Sequence, residues 1–359
     1  MIDYSQPDVK TAAQARADAQ RIAFGPIVFQ AVMAMRQLGI LEKLHSAGEA
    51  GRSVAAIAQA LALPEYGVRV LLESGLSSGV VRLVADRYVL TKTGYFLIKD
   101  ELTSVNMNFV ADVCYDAMRH LGDSVVAGKP KGLAVFGPWK TIYEGLAQLP
   151  KAAQDSWFAF DHFYSDAAFP EAFPIVFARP VARLLDVGGN TGKWALYCAA
   201  NDPCVEVTIL DLPGQLEQAR RHIDAAGMTQ RIRVQPMNVL TGPEPWPAGV
   251  DVVWMSQFLD CFSAEEIVHL LRNARAALLE TGALYILETY WDRQRYEAAT
   301  FALHNTSLYF TCLANGNSKM YHSQEMQALI AQAGLSVVRE INDLGIGHTL
   351  LECRRASPS

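Results

Sequence analysis

The sequence predicts an α/β protein in which a parallel sheet, covered by helices on both faces, follows a mainly helical domain. Three observations support this prediction. From about residue 181 onward, short apolar runs alternate with amphipathic helical stretches. The first of these runs ends in a glycine-rich loop at residues 186–192. The first hundred residues instead have helical periodicity, interrupted by one short alternating segment.

Composition limits the class of protein. The chain has 359 residues, of which 51% are apolar and 19% charged, as in a globular protein with a sizeable core. We divide it into residues 1–100, 101–180 and 181–359. The net charge of -6 argues against a nucleic-acid partner, which would require a basic stripe. No run approaches the roughly 18 apolar residues of a membrane span, so we expect no membrane contact.

The cysteines and the N-terminus bear on localisation. The six cysteines are scattered without a CxxC pair, and the first residues are polar and charged, unlike a secretory signal. We therefore expect a cytoplasmic protein with reduced thiols.

The N-terminal part has the element order of a winged helix. Residues 22–44 are apolar at helical spacing, which predicts a buried helix and suggests a partner chain. Ser53 can cap the next helix, and Pro64 opens the one after it. Residues 80–97 alternate around Ala85-Asp86-Arg87, as a two-stranded wing does. The five basic and three acidic residues of 51–96 are too weak a bias for binding a phosphate backbone.

The segment 101–180 is helical and strongly aromatic. Its run WFAFDHFYSDAAFPEAF, residues 157–173, fits a protein core. Because it directly precedes the sheet domain, it could also form the apolar wall of a substrate site.

The third part contains the strands of the sheet. Its apolar runs are VARLLDVG, VEVTILDL, IRVQPMNV, VDVVWMSQ and GALYILET, with helical stretches between them. This rhythm predicts a parallel sheet with helices on both faces. The final pair, LSVVREIND and GHTLLECRR, predicts a closing antiparallel hairpin.

The glycine-rich loop carries the most chemical information. A buried strand ends at Asp186, and the glycines after it let the chain turn sharply and approach a ligand closely. Ligands of open parallel sheets lie at the carboxyl ends of the strands. The next strand ends at Asp211-Leu212, where an acid suits the two hydroxyls of a ribose.

The loop favours S-adenosylmethionine over NAD. NAD-binding loops read GxGxxG and place a pyrophosphate at a helix N-terminus. Here the pattern is DxGGxxG, and Asp186 would repel a pyrophosphate but could pair with the α-ammonium group of S-adenosylmethionine. The alternative is that Asp186 merely caps the following turn.

These blocks resemble a known family. Four blocks are similar to those of the plant-type small-molecule O-methyltransferases and their bacterial relatives: LLDVGGNTG, ILDLP, RIRVQPMNV and the strand before SAEEIVHLLRNARAAL. The resemblance includes FGPIVFQAVMAMRQLGILEKL and the wing, and so covers most of the chain. It implies a Rossmann-like class I methyltransferase sheet behind a winged-helix-like dimerisation domain. It also implies a homodimer with interlocked N-terminal helices, and methylation of hydroxyls on phenolic or polyketide-like molecules of secondary metabolism.

By position, the resemblance assigns Asp186 and Gly188 to the methionine moiety of the cofactor and Asp211 to its ribose. Met237 and Asn238 would flank the adenine, although the family usually has an acid in place of Asn238. The full set of expected cofactor-binding residues is Asp186, Gly188, Gly189, Gly192, Asp211, Leu212, Met237, Asn238 and Ser256.

The catalytic positions depart from the family. Its general base is a histidine, where this chain has Asp260, and a glutamate that orients the histidine aligns with Met320. A companion acid is kept as Glu288. An aspartate of pKa near 3.9 is a feeble base unless burial raises its pKa. We therefore expect O-methylation, with C-methylation of an activated ring as an alternative, and a substrate hydroxyl bonded to Asp260 as a further role.

Histidines elsewhere could replace the missing base. His162 lies in the aromatic run and His304 in the segment FALHNTSLYF, which would line the pocket in this fold. The candidate catalytic residues are Asp260, Glu288, His162 and His304. We expect no metal, because no suitable group of aspartates and glutamates occurs.

Two other functions stay open. The loss of the histidine and glutamate is compatible with a cofactor-binding but non-methylating catalyst, or with a scaffold subunit of a biosynthetic pathway. A winged-helix regulator with a ligand-sensing domain is disfavoured by the charge.

Overall fold

The computed structural model describes residues 4–356, which form two compact units. One unit extends to Asn108, and the other begins at Phe109. The structure thus divides the chain at residue 108 rather than at 100, and it does not separate residues 109–180 from the sheet. The reason is that Phe109 is buried and stacks on Phe160, with ring centroids 4.1 Å apart, inside the core of the second unit.

The first unit is mainly helical. Its helices are α1 (Ala12–Ala23), α2 (Gly25–Gln37), α3 (Ile40–Ala47), α4 (Val54–Leu61), α5 (Glu65–Ser77), α6 (Lys92–Lys99) and, except for its last residue, α7 (Glu101–Phe109). Its strands are β1 (Val81–Val84) and β2 (Arg87–Leu90). Ser53 caps α4 by accepting a hydrogen bond from the Ala56 N–H. Ala85 and Asp86 have φ angles of 43° and 63°, so a two-residue turn of the primed type joins the wing strands. The predicted winged-helix order is confirmed.

The apolar segment 22–44 differs from the single helix that we expected. It contains the end of α1, all of α2 and the start of α3. Pro26 lies in the first turn of α2, where its fixed φ favours a helix start. Gly39 has a φ of 77°, and this left-handed conformation separates α2 from α3. Periodicity predicted the apolar residues but not these two breaks.

The second unit begins with helices and continues into a seven-stranded sheet. The helices before the sheet are α8 (Leu121–Ala127), α9 (Ile142–Gly145), α10 (Lys151–Asp166) and α11 (Phe169–Val176). The strands are β3 (Arg183–Val187), β4 (Glu206–Asp211), β5 (Ile232–Pro236), β6 (Val250–Ser256), β7 (Leu278–Glu288), β8 (Leu335–Leu344) and β9 (His348–Arg355). The helices among them are α12 (Lys193–Asn201), α13 (Pro213–Ala225), α14 (Ala264–Ala277), α15 (Glu297–Tyr309) and α16 (Ser323–Gln332).

The strand order is β5-β4-β3-β6-β7-β9-β8. The first five strands in this order are parallel, whereas β9 pairs antiparallel with β7 and with β8. Each predicted apolar run forms a strand, and the predicted closing hairpin is present. Separate apolar cores cover the two faces of the sheet, as the α/β prediction required.

This order determines where a ligand can bind. Strands β4, β3, β6 and β7 are neighbours, so their carboxyl ends, with the loops that follow them, meet at one edge of the sheet. None of the helices within residues 4–356 has the length and apolar character required to cross a membrane.

Candidate active site

A cavity of about 480 Å³ lies at this edge of the sheet, within the second unit. It is lined by residues from the segments 140–146, 157–169, 186–194, 210–215, 237–241, 254–266 and 309–320. The sheet therefore supplies one side of the cavity, and helix α10 with the segment after α15 supplies the other.

Asp186 ends β3 and lines the cavity. It is only 2% exposed, and its Oδ2 has no hydrogen-bond partner within the described chain. Burial, together with the nearby Asp211, raises the pKa of Asp186 to about 8. A buried carboxylate oxygen without a donor is costly, so this position suits a cationic group of a ligand.

The glycines of the loop bring the backbone close to the cavity. Gly188 has a φ of 73°, and a Cβ there would clash with the ring of Phe258. A Cβ on Gly189 would lie 2.6 Å from the Oδ2 of Asp186. A side chain at Gly189 would therefore occupy the space beside the unpartnered oxygen of Asp186. Gly192 does not line the cavity; its φ of 80° instead starts α12.

Asp211 ends β4 beside the same loop. Its Oδ2 accepts a hydrogen bond of 2.8 Å from the Asn190 N–H, and its Oδ1 accepts one of 2.6 Å from the Leu212 N–H. Burial raises the pKa of Asp211 to about 6, although these two hydrogen bonds oppose the shift. Asp211 and Leu212 both line the cavity, and each carboxylate oxygen keeps a free lone pair for a ribose hydroxyl.

Met237, Asn238 and Ser256 also line the cavity. The Met237 N–H donates to the Asp211 carbonyl at 2.8 Å, which joins the ends of β4 and β5. Asn238 uses its side-chain oxygen to accept from the N–H groups of Leu240 and Thr241, so it stabilises a turn. The Oγ of Ser256 is buried and unpartnered among the described residues.

Asp260 lies on a single helical turn after β6 and is 6% exposed. Burial is the main cause that raises its pKa to about 7, and Asp161 across the cavity raises it further. The Cys261 thiol donates to Oδ1 at 3.4 Å. Asp260 is thus a buried acid that titrates near neutrality, and it lines the cavity.

Glu288 ends β7 but does not line the cavity. Its Oε1 accepts hydrogen bonds from the N–H groups of Phe258 and Leu259, at 3.0 and 2.8 Å. Burial and the nearby Asp260 raise the pKa of Glu288 well above its usual range. In this geometry Glu288 positions the turn that carries Asp260, and does not itself face a ligand.

The two predicted histidines lie in different places. His162 on α10 lines the cavity, with its Nε2 3.4 Å from the Thr191 hydroxyl. His304 on α15 packs against the ring of Trp291, with centroids 4.8 Å apart, and lies outside the lining of the cavity. The structure therefore brings His162, but not His304, into the same cavity as Asp260.

Sequence reasoning missed Asp161 and Tyr143. Asp161 on α10 lines the cavity, and its Oδ2 accepts a hydrogen bond of 2.9 Å from the Asn190 side chain. Tyr143 on α9 also lines the cavity, and its hydroxyl is buried without a partner in the described part of the chain. The aromatic run contains three acids, Asp161, Asp166 and Glu171, and the sequence did not show which of them faces the cavity. Nothing in the local sequence distinguished Tyr143.

Comparison with known proteins identifies the family. The sequence model of the O-methyltransferase domain matches residues 168–347, and that of the Dimerisation2-like domain matches residues 16–88. The chain belongs to the O-methyltransferase family, and it is an S-adenosylmethionine-dependent methyltransferase. The free oxygen of Asp186 beside the required glycines fits this cofactor, which carries an ammonium group.

Individual relatives differ in the reaction for which they are named. L-tyrosine C(3)-methyltransferase of Streptomyces lavendulae is 25% identical over 88% of this chain and 85% of its own. Aclacinomycin 10-hydroxylase RdmB of Streptomyces purpurascens is 28% identical over 62% of this chain and 58% of its own. The apo structure of the S-adenosylmethionine-dependent methyltransferase SibL superimposes with a TM-score of 0.71 and 27% identity, covering 94% of this chain and 98% of that one.

The first prediction concerns Asp211. Replacing Asp211 by alanine removes an acceptor for the ribose and should weaken S-adenosylmethionine binding at least about tenfold, the usual effect of losing a hydrogen bond to a charged group. Calorimetric titration measures this change, with Asp224→Ala on the exposed side of α13 as the control. Equal affinities of the Asp211 variant and the wild type would contradict the assignment.

The second prediction concerns the cost of burying Asp186. Its folded pKa of about 8 exceeds the unfolded value, so the folded state holds a proton that the unfolded state releases. This contribution to stability is therefore lost as the pH rises from about 4 to about 8. Asp186→Asn should raise the melting temperature of the cofactor-free protein at pH 8 by about 3 °C or more, with a smaller gain at pH 5. Thermal melts at both pH values check this. An increase in melting temperature that is the same at both would show that the raised pKa of Asp186 is not the cause.

Proposed function

We propose that the chain transfers a methyl group from S-adenosylmethionine to a hydroxylated aromatic or polyketide-like small molecule of secondary metabolism. One observation carries the proposal: a single cavity contains both the carboxylates that suit the cofactor, Asp186 and Asp211, and the buried acid Asp260 at the position of the family's base. The cofactor, when bound, supplies a methyl group made electrophilic by its attachment to a sulfonium.

The residues around the loop would bind the cofactor. Asp186 would pair with its ammonium group, because it offers a buried oxygen without a donor. Asp211 would accept from the ribose hydroxyls, and Met237 would give an apolar surface to the adenine. Gly189 keeps the space beside Asp186 open, since a side chain there would fill it, and a side chain at Gly188 would collide with the ring of Phe258.

The opposite side of the cavity suits a flat aromatic substrate. It is formed by Trp157 and Phe160 of α10, together with Tyr309, Phe310 and Met320. The Trp157 indole donates to the Tyr309 hydroxyl at 2.8 Å, so this wall is held in place internally. Apolar and aromatic walls with a few polar groups are typical of sites for small aromatic molecules.

Asp260 is our candidate for the base. A phenol has a pKa near 10, so transfer of its proton to an ordinary aspartate costs about 8 kcal/mol. With its pKa raised to about 7, Asp260 lowers this cost to about 4 kcal/mol. Burial thus compensates for part of the loss of the histidine. Glu288 contributes indirectly, by fixing the turn on which Asp260 lies.

The acceptor atom has two candidates. Oxygen is the acceptor for which the family is named, and we favour it. A ring carbon beside the hydroxyl is the second candidate, supported by the replacement of the histidine and by the relative named for C(3) of tyrosine. Both reactions begin from an ionised phenol, so both use Asp260 in the same way.

The third prediction tests this role. Asp260→Asn should lower kcat by about 10²–10⁴-fold, the usual effect of removing a general base, with a much smaller effect on cofactor affinity. In the wild type, kcat/KM should rise as the pH passes about 7, where Asp260 ionises, and the variant should lose this inflection. Incubation of phenols with methyl-labelled cofactor, followed by NMR of the product, distinguishes an ether from a ring methyl.

The outcomes separate the alternatives. A variant with wild-type turnover would exclude Asp260 as the base and favour His162, which lines the same cavity. Tight cofactor binding without label transfer to any phenol would reject methyl transfer in favour of a non-methylating catalyst or a scaffold subunit.

We also propose that the protein is a cytoplasmic homodimer formed through the first unit. The Dimerisation2-like match supports this, and so do three apolar side chains of the α1–α2 region: Ile22, Phe24 and Ile27 are 80%, 54% and 64% exposed. Clustered exposed apolar residues favour a protein contact because burial removes them from water. The six free cysteines are compatible with a reducing compartment.

The fourth prediction concerns this surface. The double variant Ile22→Asp and Phe24→Asp should convert a wild-type dimer into a monomer, because charges would replace the apolar contact. Size-exclusion chromatography with light scattering measures the mass. Leu83→Asp, which changes an exposed apolar residue on β1, is the control and should stay dimeric. A monomeric wild type, or a double variant that stays dimeric, would contradict the proposal.

A further inference from the structure

The turn that follows β6 is held by side chains from three other segments of the chain. Glu288 accepts from two backbone N–H groups at its start. The side-chain amide of Asn315 donates to the Cys261 carbonyl, and the Tyr321 hydroxyl donates to the Phe262 carbonyl at 2.7 Å. The backbone of the turn is therefore fixed by the protein itself, and with it the directions in which its side chains leave.

Two neighbouring side chains of this turn are in contact. The Cys261 thiol donates a hydrogen bond of 3.4 Å to the Oδ1 of Asp260, and both residues line the cavity. The side chain that donates to Asp260 within residues 4–356 is that of Cys261. A thiol is a weak donor, much weaker than a hydroxyl or an N–H group. Because the thiol bonds to Oδ1, the other carboxylate oxygen of Asp260 is left for a ligand.

The ionisable groups around Asp260 favour its neutral form. Six of them lie close enough to interact with its charge, and each is a carboxyl, a thiol or a phenol: Tyr143 on α9, Asp161 on α10, Cys261 on the same turn, Glu288 on β7, Tyr290 after that strand and Tyr321 before α16. None of these six carries a positive charge in any state of protonation. A hydrogen bond to the charged form of an acid favours that form. Among the side chains of the described residues, the Cys261 thiol thus has this effect on Asp260.

We propose that Cys261 is a positioning residue for methyl transfer, whose thiol holds the Oδ1 of Asp260 and directs Oδ2 to the hydroxyl of the acceptor. The inference rests on the proposed role of Asp260 as the base. As the proton of the acceptor hydroxyl passes to Oδ2, the thiol bond to Oδ1 weakens but does not have to break. A weak donor suits this position, because a strong one would stabilise the carboxylate and make it a poorer base.

The thiol does not compete with the acceptor for the methyl group. A thiolate, not a thiol, is the nucleophile in reactions of cysteine. Burial, together with Asp260, raises the pKa of Cys261 well above its usual range, so the sulfur keeps its proton. The same acids that weaken the ionised form of Asp260 therefore protect Cys261 from methylation.

The first test measures kcat/KM against pH in two variants. Cys261→Ala removes the donor and should move the inflection of the wild type, expected near pH 7, upward by about half a pH unit or more. Cys261→Ser keeps a donor, and its stronger hydroxyl should return the inflection to the wild-type pH or below. Cys353 is fully buried outside the lining of the cavity, and Cys353→Ala, the matched control, should leave the inflection unchanged.

The position of the inflection separates this role from simple packing. A cysteine that only fills space would lower kcat in both variants without moving the inflection. An inflection that stays at the wild-type pH in Cys261→Ala would overturn the inference. So would an inflection that rises as far in Cys261→Ser as in Cys261→Ala.

Infrared spectroscopy of the purified protein gives a second test that requires no turnover. The S–H stretching band of Cys261 is the band that Cys261→Ala lacks. It should move to lower frequency as the pH rises through about 7, because the ionised Asp260 is the stronger acceptor, and it should not depend on pH in Asp260→Asn. A band that does not depend on pH in a wild type that methylates phenols would overturn this inference alone. A pH-dependent band in a protein that transfers label to no phenol would refute the proposed function instead.

Discussion

The burial of four aspartates around one cavity is the constraint on which the rest of the site depends. Asp161, Asp186, Asp211 and Asp260 all line it, and burial raises the pKa of each. A buried carboxylate without a cation is unfavourable, so natural sites either pair such groups or lose the charge. Two lysines also line the cavity, Lys140 and Lys193, and Lys193 is already paired with Asp166. Binding of a positively charged ligand therefore recovers part of the free energy that is lost when these acids are buried.

The fold holds these acids in place through the ends of adjacent strands. Asp186 and Asp211 end β3 and β4, which are hydrogen-bonded neighbours, and the loop between them donates the Asn190 N–H to Asp211. On the other side, β6 and β7 are neighbours, so Glu288 at the end of β7 reaches the turn that follows β6. Asp260 is thus positioned by the sheet, through the hydrogen bonds that hold its turn to Glu288. The strand order also explains how Glu288 can position Asp260 without lining the cavity itself.

The sequence predicted the site residues that lie at the ends of strands. It did not predict which residues of the helices face the cavity. Asp186 and Asp211 end β3 and β4, so both could be placed at the edge of the sheet in advance, whereas Asp260 lies on a turn after β6 and was placed by the resemblance to the family. A residue on a helix can face in several directions. His304 and His162 were equally plausible from sequence, yet α15 directs His304 against Trp291, whereas α10 brings His162 to the cavity. Asp161 was missed for the same reason, because its contact with Asn190 depends on how α10 packs against the loop.

Charge also links cofactor binding to turnover. Methyl transfer removes the positive charge of the sulfonium, while the carboxylates of the cavity stay in place. A cavity with four acids attracts the charged reactant more strongly than the product that has lost one charge, since each interaction acts in a partly buried, low-dielectric site. The carboxylates that destabilise the empty cavity thus favour replacement of S-adenosylhomocysteine, the product, by S-adenosylmethionine. Aspartate in place of histidine at position 260 adds to this attraction, because a neutral imidazole would contribute no negative charge.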